Sequence, residues 1–196
     1  MLPVRDCFGR VLERKKTLLV FSALFLIAFL FGIILTKSPA MYDYHLTVCD
    51  RFIDRVCFSR RSVFLIFLEH VAGSALLLAL FLIAGIHRVG LILPPAMIVY
   101  RAYMCGGSTA IFFSVYGFSG VLIALVLYLP IRILTDLCFL CATTLSCARA
   151  GKFRFCREDF ACLAFDFLIL FLLILAIYFV EMVLLLALFH PIGNML

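Results

Sequence analysis

Five apolar stretches, each long enough to cross the hydrocarbon core of a bilayer, divide this chain and leave little of it for anything else. A transmembrane helix needs ~20 mainly apolar residues, and in lipid every backbone N–H and C=O has to find its partner inside the segment. The stretches are Thr17–Thr36, Ser62–Ile86, Val89–Phe113, Ser119–Cys141 and Ala161–Phe189. The first, TLLVFSALFLIAFLFGIILT, carries no charge. Hydrophobic residues make up 66% of the chain, charged residues 14%, and mean hydropathy is +1.22, which excludes an ordinary soluble domain. The expected fold is all-α: a polytopic integral membrane protein with about five transmembrane helices in one bundle, residues 1–196 forming a single membrane domain.

The third stretch has two places where a helix can break, Pro94-Pro95 and the glycine pair Gly106-Gly107. Small residues at such a point also let neighbouring helices approach closely. The first stretch follows basic residues, as a signal peptide does. It has the length of a full span, however, and no small-residue cleavage pattern stands before Lys37, so a retained helix is expected.

Lysine and arginine set the orientation. The N-terminal segment carries Arg5, Arg10, Arg14, Lys15 and Lys16, and the Cys147–Asp159 loop carries Arg149, Lys152, Arg154 and Arg157. With five spans and a cytoplasmic N-terminus, both lie inside together with the tight turn at His87-Arg88, as the positive-inside bias asks. The Lys37–Arg61 loop and the neutral tail Pro191–Leu196 then fall on the opposite face. That loop holds five basic residues of its own, the one feature that runs against this assignment. The expected localisation is the cell membrane, multi-pass, with the N-terminus cytoplasmic and the C-terminus extracytoplasmic.

Two arginines interrupt these stretches near their middles: Arg101 in the third and Arg132 in the fourth. A charge at that depth costs at least ~2.5 kcal/mol, so it is expected to face the bundle interior and to have a buried partner. Arg132 and Asp136 stand four residues apart and share a helix face, so they are expected to pair. Such a pair serves either to fix helix packing or as part of an ion or proton relay. Arg101 has no acid at helical spacing, which leaves Glu69 in the second span and Glu181 in the fifth as its natural partners. Glu69, Arg101, Arg132, Asp136 and Glu181 are therefore the candidate buried polar cluster.

Other chemistry is sparse. His70 beside Glu69 has no second ligand at helical spacing, so it reads as a hydrogen-bonded packing residue, and no metal is expected. Cys138 and Cys141 have CxxC spacing, but no second pair follows and the motif lies in an apolar helix, where small hydrophobic packing is the better reading. Cys49 and Cys57 are the only pair considered for a disulfide. No nucleophile elbow, P-loop or HExxH motif occurs, and no basic stripe with interleaved aromatics suggests nucleic acid. The expectation is a non-enzymatic chain without a cofactor, its first partner the lipid bilayer.

One stretch carries a resemblance. Gly85-Ile-His-Arg-Val-Gly90-Leu91, followed by Pro94 and an apolar half-helix, is succeeded by Tyr100-Arg101 and the glycines at Gly106 and Gly107. The turn Tyr116-Gly117-Phe-Ser-Gly120 and an apolar helix ending near Pro130 complete it. In this order, and in its basic N-terminus followed by a span containing Phe31-Gly32, the chain resembles the stage II sporulation protein M family. Arg132, the cysteine-rich fourth span and the basic loop after it depart from that pattern. The resemblance implies a non-enzymatic membrane scaffold in forespore engulfment. Its partners would be extracytoplasmic peptidoglycan-degrading enzymes, the stage II sporulation proteins D and P, held at the septal membrane. The alternative reading is a small transporter or channel component that uses the buried arginines and glutamates.

The orientation is directly testable. In intact cells Cys156, in the basic loop, should stay unlabelled by a membrane-impermeant thiol reagent and become labelled once the membrane is permeabilised. Labelling from outside would reverse the topology.

Overall fold

A helix with apolar side chains on every side has no aqueous face, and the second helix of this chain is of that kind. Of its 21 residues only Phe21, Ala28 and Gly32 are buried, while Leu19, Leu26, Ile27, Leu30 and Ile34 lie exposed. That outer surface is suited to lipid and to nothing else. The computed structural model describes residues 3–58, 60–150 and 157–193, and among these there is no strand. The helices are α1 (Pro3–Leu12), α2 (Lys15–Leu35), α3 (Pro39–Phe58), α4 (Arg60–Ile86), α5 (Leu93–Val115), α6 (Gly117–Ile123), α7 (Leu129–Arg149) and α8 (Arg157–Gly193). A 3₁₀ turn, Arg88–Leu91, joins α4 to α5, and a π turn, Ala124–Tyr128, joins α6 to α7.

Five segments among the described residues are long and apolar enough to span a bilayer: Lys15–Leu35, Val63–Ile86, Arg88–Val115, Gly117–Arg149 and Phe160–Ala187. The protein is thus an all-helical, multi-pass membrane bundle. Span boundaries differ from the sequence reading mainly in the fourth, which runs on past Cys141 to Arg149. Residues 151–156 of the basic loop, Cys156 among them, lie outside the described residues.

Of the two suspected breaks in the third span, Gly106-Gly107 stays inside α5, while the one at the prolines falls just before them, where the 3₁₀ turn Arg88–Leu91 gives way to α5 at Leu93. Pro94 and Pro95 stand in the first turn of α5, where a missing N–H leaves no helical hydrogen bond unmade. Pro130 is the proline that disturbs a helix. It cannot donate to the turn before it, and the ladder there widens into the π turn that ends at Tyr128. At Gly117 the backbone takes a φ of +54°, a left-handed conformation open to glycine, and this turns the chain from α5 into α6.

The closest helix crossing joins α2 and α5. A Cβ on Gly32 would run into the Tyr103 carbonyl, and one on Gly106 into the Phe29 carbonyl. Two backbones meet here with no side chain between them, the arrangement that gives helices their attraction in lipid, where the hydrophobic effect offers none. Gly107 does a different job, since the ring of His45 occupies the place its Cβ would take.

His45 belongs to α3, and here the structure departs most from the sequence reading. The Lys37–Arg61 segment, expected as a loop, is largely a 20-residue helix. His45 and Cys49 are buried and Phe52 and Ile53 half-buried, all on one face, and that face rests on α5, α4 and α8. Its exposed side carries Tyr42, Asp43, Tyr44, Thr47, Asp50 and Arg51. The Cys49 thiol donates to the Ser108 carbonyl at 3.6 Å, and the Tyr116 hydroxyl donates to Asp50. The side chain of Cys57, the other half of the considered disulfide, lies outside the described residues.

At the opposite end of the bundle α1 packs on α7 and α8. Cys7 and Val11 are buried there, and Arg10 forms an ion pair with Asp166, which is 1% exposed. Two contacts clamp the end of α7 onto the α4–α5 junction: the Ser146 hydroxyl donates to the Phe81 carbonyl at 2.7 Å, and the Cys147 thiol to the Gly90 carbonyl at 3.0 Å.

The α2–α5 contact makes a clear prediction. Gly106→Leu should lower stability by ~1–3 kcal/mol or more through overpacking, whereas Gly73→Leu, whose added Cβ meets nothing within 4 Å, should be close to neutral. Thermal unfolding in mild detergent measures both. Equal effects at the two positions would contradict the crossing.

Candidate functional site

The polar interior is built on α5 and α7. Arg101 projects from the middle of α5 and meets Asp136 of α7, with Nε and Nη2 both 2.7 Å from Oδ1. The arginine side chain is 18% exposed and the aspartate 2%. The guanidinium also lies over the Phe139 ring, 4.2 Å from its centroid. The carboxylate neutralises the charge from one side while the ring covers another, and both lower the cost of placing Arg101 at this depth.

This overturns the expected pairing of Asp136 with Arg132. Arg132 sits instead over the Tyr128 ring, one turn earlier on the same chain segment, 5.5 Å from its centroid. Two reasons favour the observed arrangement. An acid four residues C-terminal to a base is the weaker order for a pair within one helix. Arg101 also reaches Asp136 from a separate helix, and so joins α5 to α7 where a local pair would join nothing.

Glu181, expected near Arg101, lies elsewhere as well. His70 of α4 and Glu181 of α8 are 3.2 Å apart, from Nδ1 to Oε2. One turn along, the hydroxyls of Ser74 and Tyr178 are hydrogen-bonded at 2.9 Å, and the His70 and Tyr178 rings are 5.2 Å apart. The two contacts form a ladder between α4 and α8. His70 is therefore the partner of a buried glutamate. Glu69, next to it in sequence, is exposed and belongs to a different face of α4. Of the candidate residues, the structure brings together Arg101, Asp136 and Arg132, puts Glu181 in the neighbouring ladder, and leaves Glu69 outside.

Between α5 and α7 is a cavity of about 210 Å³. Arg101, Arg132 and Asp136 line it together with Tyr100, Ser108 and Tyr128, and Val48 of α3 stands at its edge. At ~30 Å³ per molecule it has room for several waters or a small ion. A second cavity, between α2 and α7, is lined mainly by Phe25, Leu26, Phe29, Ile133, Leu137 and Leu140, and its character is apolar.

His45 is the other unusual polar group. It is fully buried, and among the described residues neither ring nitrogen has a partner; the Tyr103 hydroxyl, with its ring centroid 5.5 Å away, is likewise buried and has none among them. Burial lowers the His45 pKa below its ordinary value, so the ring is neutral at pH 7 and fits its apolar seat on Gly107.

Two described thiols outside the spans, Cys7 and Cys49, are held in the protonated form. Burial, with the Asp166 charge second, pushes Cys7 up to about 12, and burial pushes Cys49 up to about 12, so both are protonated at neutral pH. Cys138 and Cys141 lie in the apolar core beside Phe139 and Leu140. Among the described residues no three His, Cys, Asp or Glu side chains converge as metal ligands would.

Sequence reasoning missed the Arg10–Asp166 pair. One signal was available: Asp166 lies near the start of the last span, and an odd number of spans puts that start on the side of the basic N-terminal segment. Comparison of the chain with known protein families, curated proteins and solved structures found no match.

The ion pair predicts its own mutational pattern. Arg101→Leu leaves Asp136 as an unpaired buried charge and should cost ~3–5 kcal/mol, and Arg101→Leu combined with Asp136→Leu should recover a large part. Arg132→Leu and Asp136→Leu should show a smaller coupling, since the two share a cavity but no ion pair. Unfolding of the detergent-solubilised variants reads both cycles, and coupling confined to Arg132 and Asp136 would reject the assignment.

Proposed function

We propose that this membrane protein is a non-enzymatic scaffold that holds a peptidoglycan-degrading partner against the outer face of the cell membrane. The observation that carries this reading is α3. It is a helix of 20 residues that lies between two spans, fixed to the bundle through His45, Cys49 and the Tyr116–Asp50 contact. A surface ordered in advance loses less entropy on binding than a loop that must fold onto its partner. The exposed side of α3 carries Tyr42, Tyr44 and Arg51, residue types enriched at protein interfaces, with Asp43 and Asp50 beside them.

The positive-inside bias supports an extracytoplasmic position for α3. Arg10, Arg14, Lys15, Lys16, Arg88 and Arg149 gather at the far end of the bundle, and that end is cytoplasmic in this reading. The resemblance to the stage II sporulation protein M family supplies the partner class and the setting, forespore engulfment. A second reading, a transporter component, draws on the cavity between Arg101 and Arg132 at mid-span.

In a spore-forming host, deletion should stall cells after polar septation with the septal wall unthinned. Replacing the outer side of α3 (Met41, Tyr44, Thr47 and Arg51 to Ser) while keeping His45 and Cys49 should leave the protein inserted. Co-purification of muralytic activity in mild detergent should then be lost. Normal engulfment in the deletion strain would defeat the scaffold reading and leave the transporter reading in front.

A further inference from the structure

The cavity between α5 and α7 contains one more positive charge than its walls neutralise. Arg101 and Asp136 cancel each other across 2.7 Å. Arg132 has no carboxylate at ion-pair distance and no hydrogen-bond acceptor among the described residues. The two acids whose charge it feels are both engaged, Asp136 by Arg101 and Glu181 by His70. The Tyr128 ring fixes the guanidinium in place but does not take up the fork of N–H donors that the group presents. A cation at this depth calls for an anionic partner, and among the described residues none is placed against Arg132.

The space beside it suits such a partner. It is about 210 Å³, and the hydroxyl-bearing residues Ser108, Tyr100 and Tyr128 contribute to its walls. Val48, at its edge on α3, is 36% exposed, so the cavity borders the surface of the bundle at the α3 end. We propose that this cavity binds one phosphate-type oxyanion, free or as part of a lipid headgroup, with Arg132 as its principal ligand. The planar guanidinium fork matches two oxygens of such a group and would leave a halide poorly held. A single surplus charge matches a group carrying one negative charge, as a phosphodiester or dihydrogen phosphate does. The site does not depend on the scaffold reading.

The test uses the full chain in a maltoside detergent, which carries no phosphate, with thermal unfolding as the readout. In one arm, inorganic phosphate is titrated against sodium chloride of equal ionic strength. In the other, in phosphate-free buffer, phosphatidylglycerol is titrated into the same micelles. A rise in unfolding temperature in the first arm identifies a free ion, and a rise confined to the second identifies a headgroup. In either case Arg132→Gln should weaken the response by about tenfold or more, and Arg132→Lys should retain part of it, since it keeps the charge without the fork. Val48→Trp, at the cavity edge and away from the ion pair, should block the response as well, and it serves if Arg132→Gln fails to insert. No response in either arm would mean that Glu181 balances Arg132 at a distance, and the proposal would fall. An unchanged response in Arg132→Gln or in Val48→Trp would place the anion elsewhere and overturn it equally.

Discussion

A guanidinium at mid-span constrains the helices around it, because lipid offers nothing to replace the water it has lost. Arg101 meets that constraint by reaching from α5 to Asp136 on α7 and lying over Phe139 of the same helix. The pair fixes both the distance and the axial register of α5 and α7, which neither Leu nor Ile contacts would do with equal precision. The polar cavity and the placement of Arg132 over Tyr128 go with Asp136 being taken by Arg101, while Glu181 is held by His70 on α4. A buried pair of this kind contributes less to net stability than its Coulomb energy suggests. Its effect is on which helices meet, and where.

The same helix α5 provides the other fixed contact. On one side Gly106 lets the α2 backbone approach, and on another Gly107 receives the ring of His45 from α3. Small residues thus do in lipid what a hydrophobic interface does in water, and they place α3 against the bundle as a rigid element. Ionic and hydroxyl contacts at α4 and α8, and the Arg10–Asp166 pair at the other end, complete a bundle in which most buried charges have a partner on another helix.

Two surfaces then stand out as places where something else can bind. The outer side of α3 is polar and aromatic and is ordered by its buried face, as the proposed scaffold requires. The cavity beneath it contains an arginine whose charge its walls leave without a direct partner, and this favours a small anionic ligand. Val48 belongs to both, lining the cavity while lying on α3, so occupancy of the one and binding at the other share a structural element.

Hydropathy alone was enough for the membrane class, the number of spans and their approximate bounds, because backbone satisfaction in lipid allows a long apolar run almost no other structure. It was also enough to single out Arg101, Arg132, Asp136 and Glu181, since a charge inside such a run stands out against its background. The partners were not legible. Spacing along one helix pointed to Arg132 and Asp136, but a side chain at mid-span has neighbours on several helices, and a contact 35 residues away in sequence leaves no periodic trace. Helix α3 was hidden for a related reason: its buried face consists of a histidine, a cysteine and two bulky apolar residues among many polar ones, so its mean hydropathy resembles that of a loop. The sequence by itself determined that this chain crosses a membrane and that Arg101, Arg132, Asp136 and Glu181 belong to its interior, although it also named Glu69, which is exposed, and passed over the buried Asp166. Only the tertiary structure decided which charges meet, because each pair joins helices that are distant in sequence.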